Sequence, residues 1–503
     1  MNRKTCPFLL TLLLAITLAA PAAAGTLTLR EALVLGLAEN YDLRIADLDV
    51  ERAQAGVTGE EGRFDLVAEL GINASRSELP TDSTLIDSDV TKTSRVQAEA
   101  ALSKHFATGL QTRLSLTGTR SDTDSLADRL EPSYRTALVL DLTLPLLKDR
   151  GTDVNTANLQ IATTQQQQAA HGYLASAQQL AAEIETAYFD LAQVEAEYRY
   201  AILARDLATE LLAGNQRKLD TGLIPVTEVN EAKSAVAGRE QNVLLYRQRI
   251  TQRRNRLLEL IDQGETSLPP DWQVSLPETV GTIKLDLEQA ISTGLLQRPD
   301  LQQARLELVA RKVALVYAQN QQLPRLDLEA SLSVNGLSGE SESPSYYSGD
   351  WQDAFDKEGS SWYAGIRFSM PLQNRNAQAL SRDAAAQDRQ SLYRLRRAEI
   401  ATETAIRSAL ATVELGMERV NVARSSSELA QATLDQENRR LEEGLSDTFR
   451  ILSFQNALVS AKVSEVAAIT DYYRAQASLF QAMGVNLERY NIVAALPHQG
   501  AMP

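Results

Sequence analysis

Hydrophobic positions along this chain follow two periods, and the places where one gives way to the other outline its architecture. Leu326, Leu328, Ala330, Leu332 and Val334 alternate with Asp327, Glu329, Ser331 and Ser333, the period of two that marks a strand with one apolar face. Trp362, Ala364, Ile366, Phe368 and Met370 alternate in the same way with Tyr363, Gly365, Arg367 and Ser369. Earlier, the pattern predicts strands over 66–74 and over 136–144, the latter with Thr136, Leu138, Leu140, Leu142 and Leu144 on one face. Weaker strands are predicted over 96–102 and 110–118, joined by a turn at Thr108 and Gly109. Polar stretches at 79–94, 121–133 and 337–360 read as connecting loops. An oily face opposite a polar one suits a soluble sandwich as well as an outer-membrane barrel, whose apolar side meets lipid and whose polar side meets a wet lumen. Alternation alone does not choose between them, nor does it say whether the two weaker strands join the others.

A proline closes each strand region, Pro145 in LTLPLLKDRG and Pro371 in FSMPLQNRN. Proline ends a hydrogen-bonded ladder and fixes φ for the turn into a helix. Unbroken helical patterning follows over 153–219 and over 375–441, 67 residues each, which at ~1.5 Å per residue is a rod of roughly 100 Å. In the first rod Tyr173, Leu180, Ala187, Val194, Ala201 and Ala208 recur every seven residues, interleaved with Ala177, Ile184, Leu191 and Tyr198. This is a supercoiling seam whose small residues permit close helix approach. Both rods then meet the same break, RKLDTGLIPVTEV from Arg217 and RRLEEGLSDTFRI from Arg439, before apolar patterning resumes through Val229, Val236 and Val243, or through Leu452, Val459 and Val466. The breaks are predicted hairpin tips, each with a glycine in the left-handed conformation that ends a helix.

The recurrence is general. LTLREALVLGLAENYDLRIADLDV from Leu27 matches LDLEQAISTGLLQRPDLQQARLEL from Leu285 at an offset of 258, with Leu27, Leu29, Ala32, Gly36, Leu37, Asp42, Leu43, Ala46 and Leu48 all repeated. The tip glycines, Gly222 and Gly444, are 222 apart. The chain is therefore a tandem duplication whose first copy carries 36 extra residues between these landmarks, a difference assigned to the two weaker strands. Expected boundaries are a signal peptide at 1–24, a first structural repeat at 25–264, a connector at 265–284, a second repeat at 285–490 and a tail at 491–503. The first repeat holds an opening helix, strands at about 65–145 and a long helical hairpin at about 153–262; the second holds an opening helix, strands at about 325–371 and a hairpin at about 375–485.

Composition narrows the setting. Arg3 and Lys4, an apolar run from Pro7 to Ala20 and the small residues Ala22, Ala23 and Ala24 form a secretory signal. Cys6 falls inside it, so the mature chain has no thiol or disulfide chemistry. Formal charge moves from −15 to −17 on removal of Arg3 and Lys4, which argues against nucleic acid as a partner. His105, His171 and His498 lie in unlike contexts, and no glycine-rich phosphate loop appears. No catalytic residues, cofactor or metal site are expected.

In this order and in duplicate, the opening helix, LPLLKDRG, the KLDTGL and RLEEGL tips and the closing DYYRAQASLFQAMG resemble the TolC-type outer-membrane efflux proteins, the outer-membrane factors. The resemblance spans nearly the whole mature chain. It implies a mainly α fold with transmembrane β structure: tandem-duplicated long helical hairpins forming a periplasmic helical barrel, capped by a β-barrel completed in a homotrimer. Closure in a trimer would remove the open edges that a lone set of strands exposes to lipid. The function implied is a passive conduit from periplasm to exterior, in the Gram-negative outer membrane, for a tripartite efflux or type I secretion system. A periplasmic adaptor (membrane fusion) protein would join it to an inner-membrane pump or secretion ATPase.

For the sites, the resemblance points to Leu219, Gly222, Leu223, Leu441, Gly444 and Leu445 as adaptor contacts. Acids that narrow the closed lumen in the family usually come from the second copy, where this chain has Arg450 and Ser453; the first copy has Glu228 and Glu231, three apart on one helical face. The expectation is that Arg450 faces the entrance and pairs with Glu228 or a neighbouring acid when the channel is closed. Two other readings, a periplasmic coiled-coil scaffold and a one-piece porin, leave the oily strand faces uncovered or supply too few strands to close a pore.

Overall fold

The computed structural model describes residues 26–80, 90–124, 128–261, 272–277, 280–342, 346–356 and 358–492. The signal peptide, residues 265–271 and 278–279 of the connector, with Pro269 and Pro270, and the tail beyond 492 lie outside the described residues. The first copy runs through α1 (Leu29–Glu39), α2 (Tyr41–Glu61), β1 (Leu66–Pro80), β2 (Val90–His105), β3 (Gln111–Thr123), β4 (Ser133–Pro145), α3 (Thr152–Asn155), α4 (Ala157–Asp220) and α5 (Val226–Ile261). The second runs through α6 (Leu287–Gln297), α7 (Pro299–Asn320), β5 (Arg325–Gly339), α8 (Asp353–Asp356), β6 (Glu358–Ser369), α9 (Arg375–Glu442), α10 (Thr448–Met483) and α11 (Asn486–Arg489).

Helices depart from expectation in three places. Each opening helix is two helices, split at positions that correspond in the duplication. Asn40 is extended, and its Oδ1 accepts from the backbone N–H of Asp42 at 2.9 Å, capping a new helix. Arg298 is extended too, because the following Pro299 disfavours a helical residue before it and itself suits a first turn. The first long rod is also interrupted, at Thr156 between α3 and α4. The second rod is continuous as expected, over Arg375–Glu442.

The chain divides into two compact units. One comprises the described residues up to Arg44, Ser176–Gln297 and the chain from Thr402; the other comprises Ile45–Ala175 and Arg298–Ala401. In the first unit the predicted seam is buried at Ala177, Leu180, Ile184, Ala187, Leu191, Val194, Ala201 and Ala208. A second seam, Ile406, Val413, Val420, Ser427 and Leu434, is buried along α9. It packs, through Ile406, Val413 and Val420, with Ala290 of α6 and with Tyr472, Leu479 and Met483 of α10. The two copies repeat one close contact. A Cβ on Gly36 would stand 2.3 Å from Ile184 Cδ1 and 3.3 Å from the Leu260 carbonyl; one on Gly294 would stand 2.4 Å from Ile406 Cδ1 and 3.5 Å from the Ala482 carbonyl. Glycine is what lets α1 and α6 lie against the hairpins.

The second unit holds one antiparallel sheet in the order β1-β2-β3-β4-β5-β6. The two weaker strands are β2 and β3, and they stand between β1 and β4 rather than apart. Strands also run past the apolar alternation. Ser75, Arg76, Ser77 and Glu78 still pair with Arg95, Ser94, Thr93 and Lys92, because the ladder uses backbone groups and polar cross-strand neighbours satisfy one another.

Register sorts side chains sharply. Leu70, Ala100, Leu116, Leu138 and Val334 form one row, and Ala68, Leu102, Leu114, Leu140, Leu332 and Trp362 the next, all on one face. Leu70 is 87% exposed, Ile72 80% and Trp362 77%. The opposite face carries Arg113 bridged to Glu69 at 2.6 Å and to Glu99 at 2.9 Å, Arg367 to Glu329 at 2.8 Å, and a Ser333–Ser361 hydroxyl contact of 2.6 Å. All fifteen residues of β1 are exposed, and among the described residues the outer edges of β1 and β6 have no strand partner.

Candidate functional site

The two tips are built alike from the backbone outward. Gly222 has φ +73° and Gly444 φ +75°. The Gly222 N–H donates to the Leu219 carbonyl at 2.8 Å, and the Leu223 N–H donates to the Lys218 carbonyl at 2.9 Å. The Gly444 N–H likewise donates to Leu441 at 3.2 Å, and the Leu445 N–H to Arg440 at 2.8 Å. This double closure is the Schellman ending, which commonly packs the residue after the glycine onto an apolar neighbour three places before the helix cap. Here that neighbour is Lys218 or Arg440, so Leu223 is 74% exposed and Leu445 62%. Leu219 and Leu441 are half-buried beneath them.

Behind the turns the copies diverge. Arg450 does not meet Glu228. Its Nε lies 3.2 Å from Glu437 Oε1 on the other arm of the same hairpin. Glu437 is buried, also accepts from the Ser446 hydroxyl at 2.6 Å, and has Arg440 at 3.8 Å. Glu228 instead accepts from Thr448 Oγ1 at 2.8 Å, while Asn215 Nδ2 donates to Thr448 Oγ1 at 2.7 Å and to the Glu228 carbonyl at 3.4 Å. Thr448 is buried and begins α10, so this contact ties the first hairpin to the second. Glu231 and Ser453 are exposed and join neither cluster.

Glu437, Asn215 and Thr448 were not anticipated. Two of them had a signal: shifted by the tip offset of 222, Asn215 falls on Glu437 and Glu228 on Arg450. Each copy thus uses the same pair of positions to brace its turn. Farther from the tips, Arg239 is buried and donates to the Ala204 carbonyl at 2.7 Å, Gln455 Oε1 at 2.8 Å and Asn456 Oδ1 at 3.1 Å, a further tie between the hairpins. Burial lowers its affinity for a proton. Glu185 of α4 is buried with Tyr490, whose hydroxyl donates to it at 3.0 Å; burial pushes its carboxyl up to about 7. Among the described residues no three His, Cys, Asp or Glu side chains could hold a metal ion. No described helix is long and apolar enough to cross a membrane.

The sequence model of the outer membrane efflux protein family matches residues 95–262 and 290–485. The chain belongs to this family. The matched segments take in β3 to β6, β2 from Arg95 onward and both tips, but leave out β1. Solved structures agree on the fold. The outer-membrane channel OprN is similar with a TM-score of 0.67 and 18% identity, covering 91% of this chain and 89% of that one. The Campylobacter jejuni CmeC outer membrane channel has a TM-score of 0.66 and 15% identity over 91% of this chain and 86% of its own. The Vibrio cholerae outer membrane protein VceC has a TM-score of 0.63 and 17% identity, over 91% and 96%. Mainly helical structure with an antiparallel sheet is thus the family's arrangement.

Proposed function

We propose that the protein is an outer-membrane efflux channel that works as a homotrimer, a passive conduit docked through its helical tips to a periplasmic adaptor. The two-faced sheet carries this reading. The six strands present one apolar row across all of them, Ala68 to Trp362, and a second across five, Leu70 to Val334, on one side and charge-paired polar rows on the other. In a barrel, the first side meets lipid and the second a water-filled lumen. Six strands are too few to close a pore alone, and the free edges of β1 and β6 are where neighbouring copies would pair. On α9, Leu415, Val422 and Leu429 recur every seven residues, are exposed, and face away from the buried seam. Such a stripe is suited to a second coiled-coil contact with another copy.

Leu223 and Leu445, with Leu219, Leu441 and the turn glycines Gly222 and Gly444, form the adaptor contact. Charge-lined helices between the tips and the body, with Glu228, Glu231, Arg450 and Ser453, form the entrance. Arg450→Ala should raise closed-state conductance, since Glu437 would lose the nearer of its two arginine partners; unchanged conductance would remove Arg450 from the gate. The adaptor in turn would recruit an inner-membrane pump or secretion ATPase. The test of the whole reading is the protein mass of the detergent-extracted material by light scattering. Three copies per particle, with a hollow tube in negative-stain images, is expected. Recovery without detergent as a monomer or dimer would overturn it.

A further inference from the structure

Arginines on the polar face of the sheet fall into two groups. Nearer the helices, Arg113, Arg325 and Arg367 each have a carboxylate partner: Glu69 and Glu99, Asp327, and Glu329. Toward the opposite end, where the β1–β2, β3–β4 and β5–β6 connections lie, Arg95 and Arg135 have no ion-pair partner among the described residues. Neither does Arg129 in the β3–β4 connection. These three line a single cavity of about 670 Å³.

Register brings them together. Arg95 of β2 sits opposite Ser121 of β3, and Arg135 of β4 sits opposite Thr119 of β3. The two arginines therefore flank β3 from either side, on the same face and one side-chain step apart along the strand. With strands about 4.8 Å apart, their Cα atoms are roughly 12 Å apart, a gap that two extended guanidinium side chains close over the hydroxyls of Thr119 and Ser121. Among the described residues, Asp128 is the one acid that lines the cavity. Among the described lining residues, three guanidinium groups stand against one carboxylate, with the hydroxyl residues Thr119 and Ser121 between the two strand arginines, which makes this lining positive in a chain of net charge −15.

We propose that this pocket binds a soluble oxyanion, a phosphate- or carboxylate-bearing small molecule. Arginine forks take such groups with paired, charge-assisted hydrogen bonds. The placement follows from the channel reading: there the polar face is the lumen wall, and the pocket stands near the end of the conduit remote from the helices. Lipid phosphates, on the other face of the sheet, do not reach it.

Inorganic pyrophosphate is the probe, titrated calorimetrically into the detergent-solubilised full chain. Wild-type protein should bind it. Arg95→Gln, Arg129→Gln and Arg135→Gln combined should weaken binding about tenfold or more. Arg120→Gln, on the opposite face and paired with Asp122 at 3.4 Å, should leave it unchanged. All three pocket arginines are exposed, so the variant keeps its fold, checked by its thermal transition. Absence of binding to wild-type protein, or equal binding to the triple variant, would overturn the proposal. Single-channel recording on the same samples separates the two readings. Conductance without pyrophosphate binding defeats the pocket alone; binding without conductance defeats the lumen assignment and leaves the pocket standing.

Discussion

The two hairpin tips descend from one duplicated segment, and they keep the turn while exchanging the brace behind it. Both end on a glycine with φ near +75° and present a leucine one residue later. Both brace the turn from the same two positions, yet one copy has Asn215 and Glu228 and the other Glu437 and Arg450. In the first copy the brace reaches outward to Thr448 of the other hairpin; in the second it is an ion pair internal to one hairpin. The turn survives because only glycine takes that backbone conformation without strain. The brace is free to change because any matched polar pair can fill it, and what it fills with determines whether a hairpin is tied to its neighbour or to itself.

Substitutions can test how far that likeness and difference extend. The largest effect is expected where the tips are alike. Leu223→Asp and Leu445→Asp should each weaken adaptor binding by roughly 2–4 kcal/mol, the range for a central apolar anchor, with folding stability unchanged. Pull-down with the cognate adaptor reads this, and loss at one tip only would show that the two leucines are not equivalent.

A larger divergence between the copies lies at Glu185, whose counterpart under the tip offset is the exposed Arg407. The folded protein holds the Glu185 carboxyl at about 7 by burial, against 4.5 ordinarily. Folding therefore favours its protonated form. Stability is full below about pH 4.5 and falls as pH rises towards 7, by up to roughly 3 kcal/mol from this group. Glu185→Gln should flatten that slope in thermal melts. An unchanged slope would mean that Glu185 stays ionised.

Among the braces, Glu437→Ala should cost about 2 kcal/mol locally, because a buried acid and its bonds to Arg450 and Ser446 disappear, with Arg450 partly exposed and so partly rehydrated. Asn215→Ala should cost about 1 kcal/mol, the worth of ordinary hydrogen bonds. Hydrogen exchange at the tip amides measures both, and equal costs would erase the distinction. The smallest contrast is in capping. Asp447 caps α10 by accepting from the Arg450 N–H at 2.8 Å, where the first copy has Pro225. Asp447→Ala should cost about 1 kcal/mol, and Pro225→Ala little, by the same exchange measurement.

What the sequence disclosed, and what it hid, follows from the kind of signal each feature leaves. Apolar alternation located all six strands, and the repeated KLDTGL and RLEEGL segments located both turns. Strand ends were hidden because Ser75 to Glu78 pair through backbone bonds that leave no hydrophobic pattern. The seam of α9 was masked by Ser427, a buried hydroxyl that donates to Glu465 at 2.5 Å and accepts from Lys462 at 3.0 Å. Thr156 interrupts the first rod with no glycine or proline at that position. The sequence shows Arg450 just past a tip, but its partner depends on which arm of the hairpin lies closest, and Glu437 lies thirteen residues back along the chain.

In the proposed channel one face of the sheet meets lipid and the other meets water. The sole cysteine of the sequence is Cys6, so single cysteines can be placed at will beyond it. Thr117→Cys and Ser331→Cys probe the polar face, Ile72→Cys and Ile366→Cys the apolar one. In intact membranes, a water-soluble maleimide should label the first two and spare the second two, and a lipid-soluble one should reverse the order. Equal labelling of both faces by the water-soluble reagent would contradict the channel.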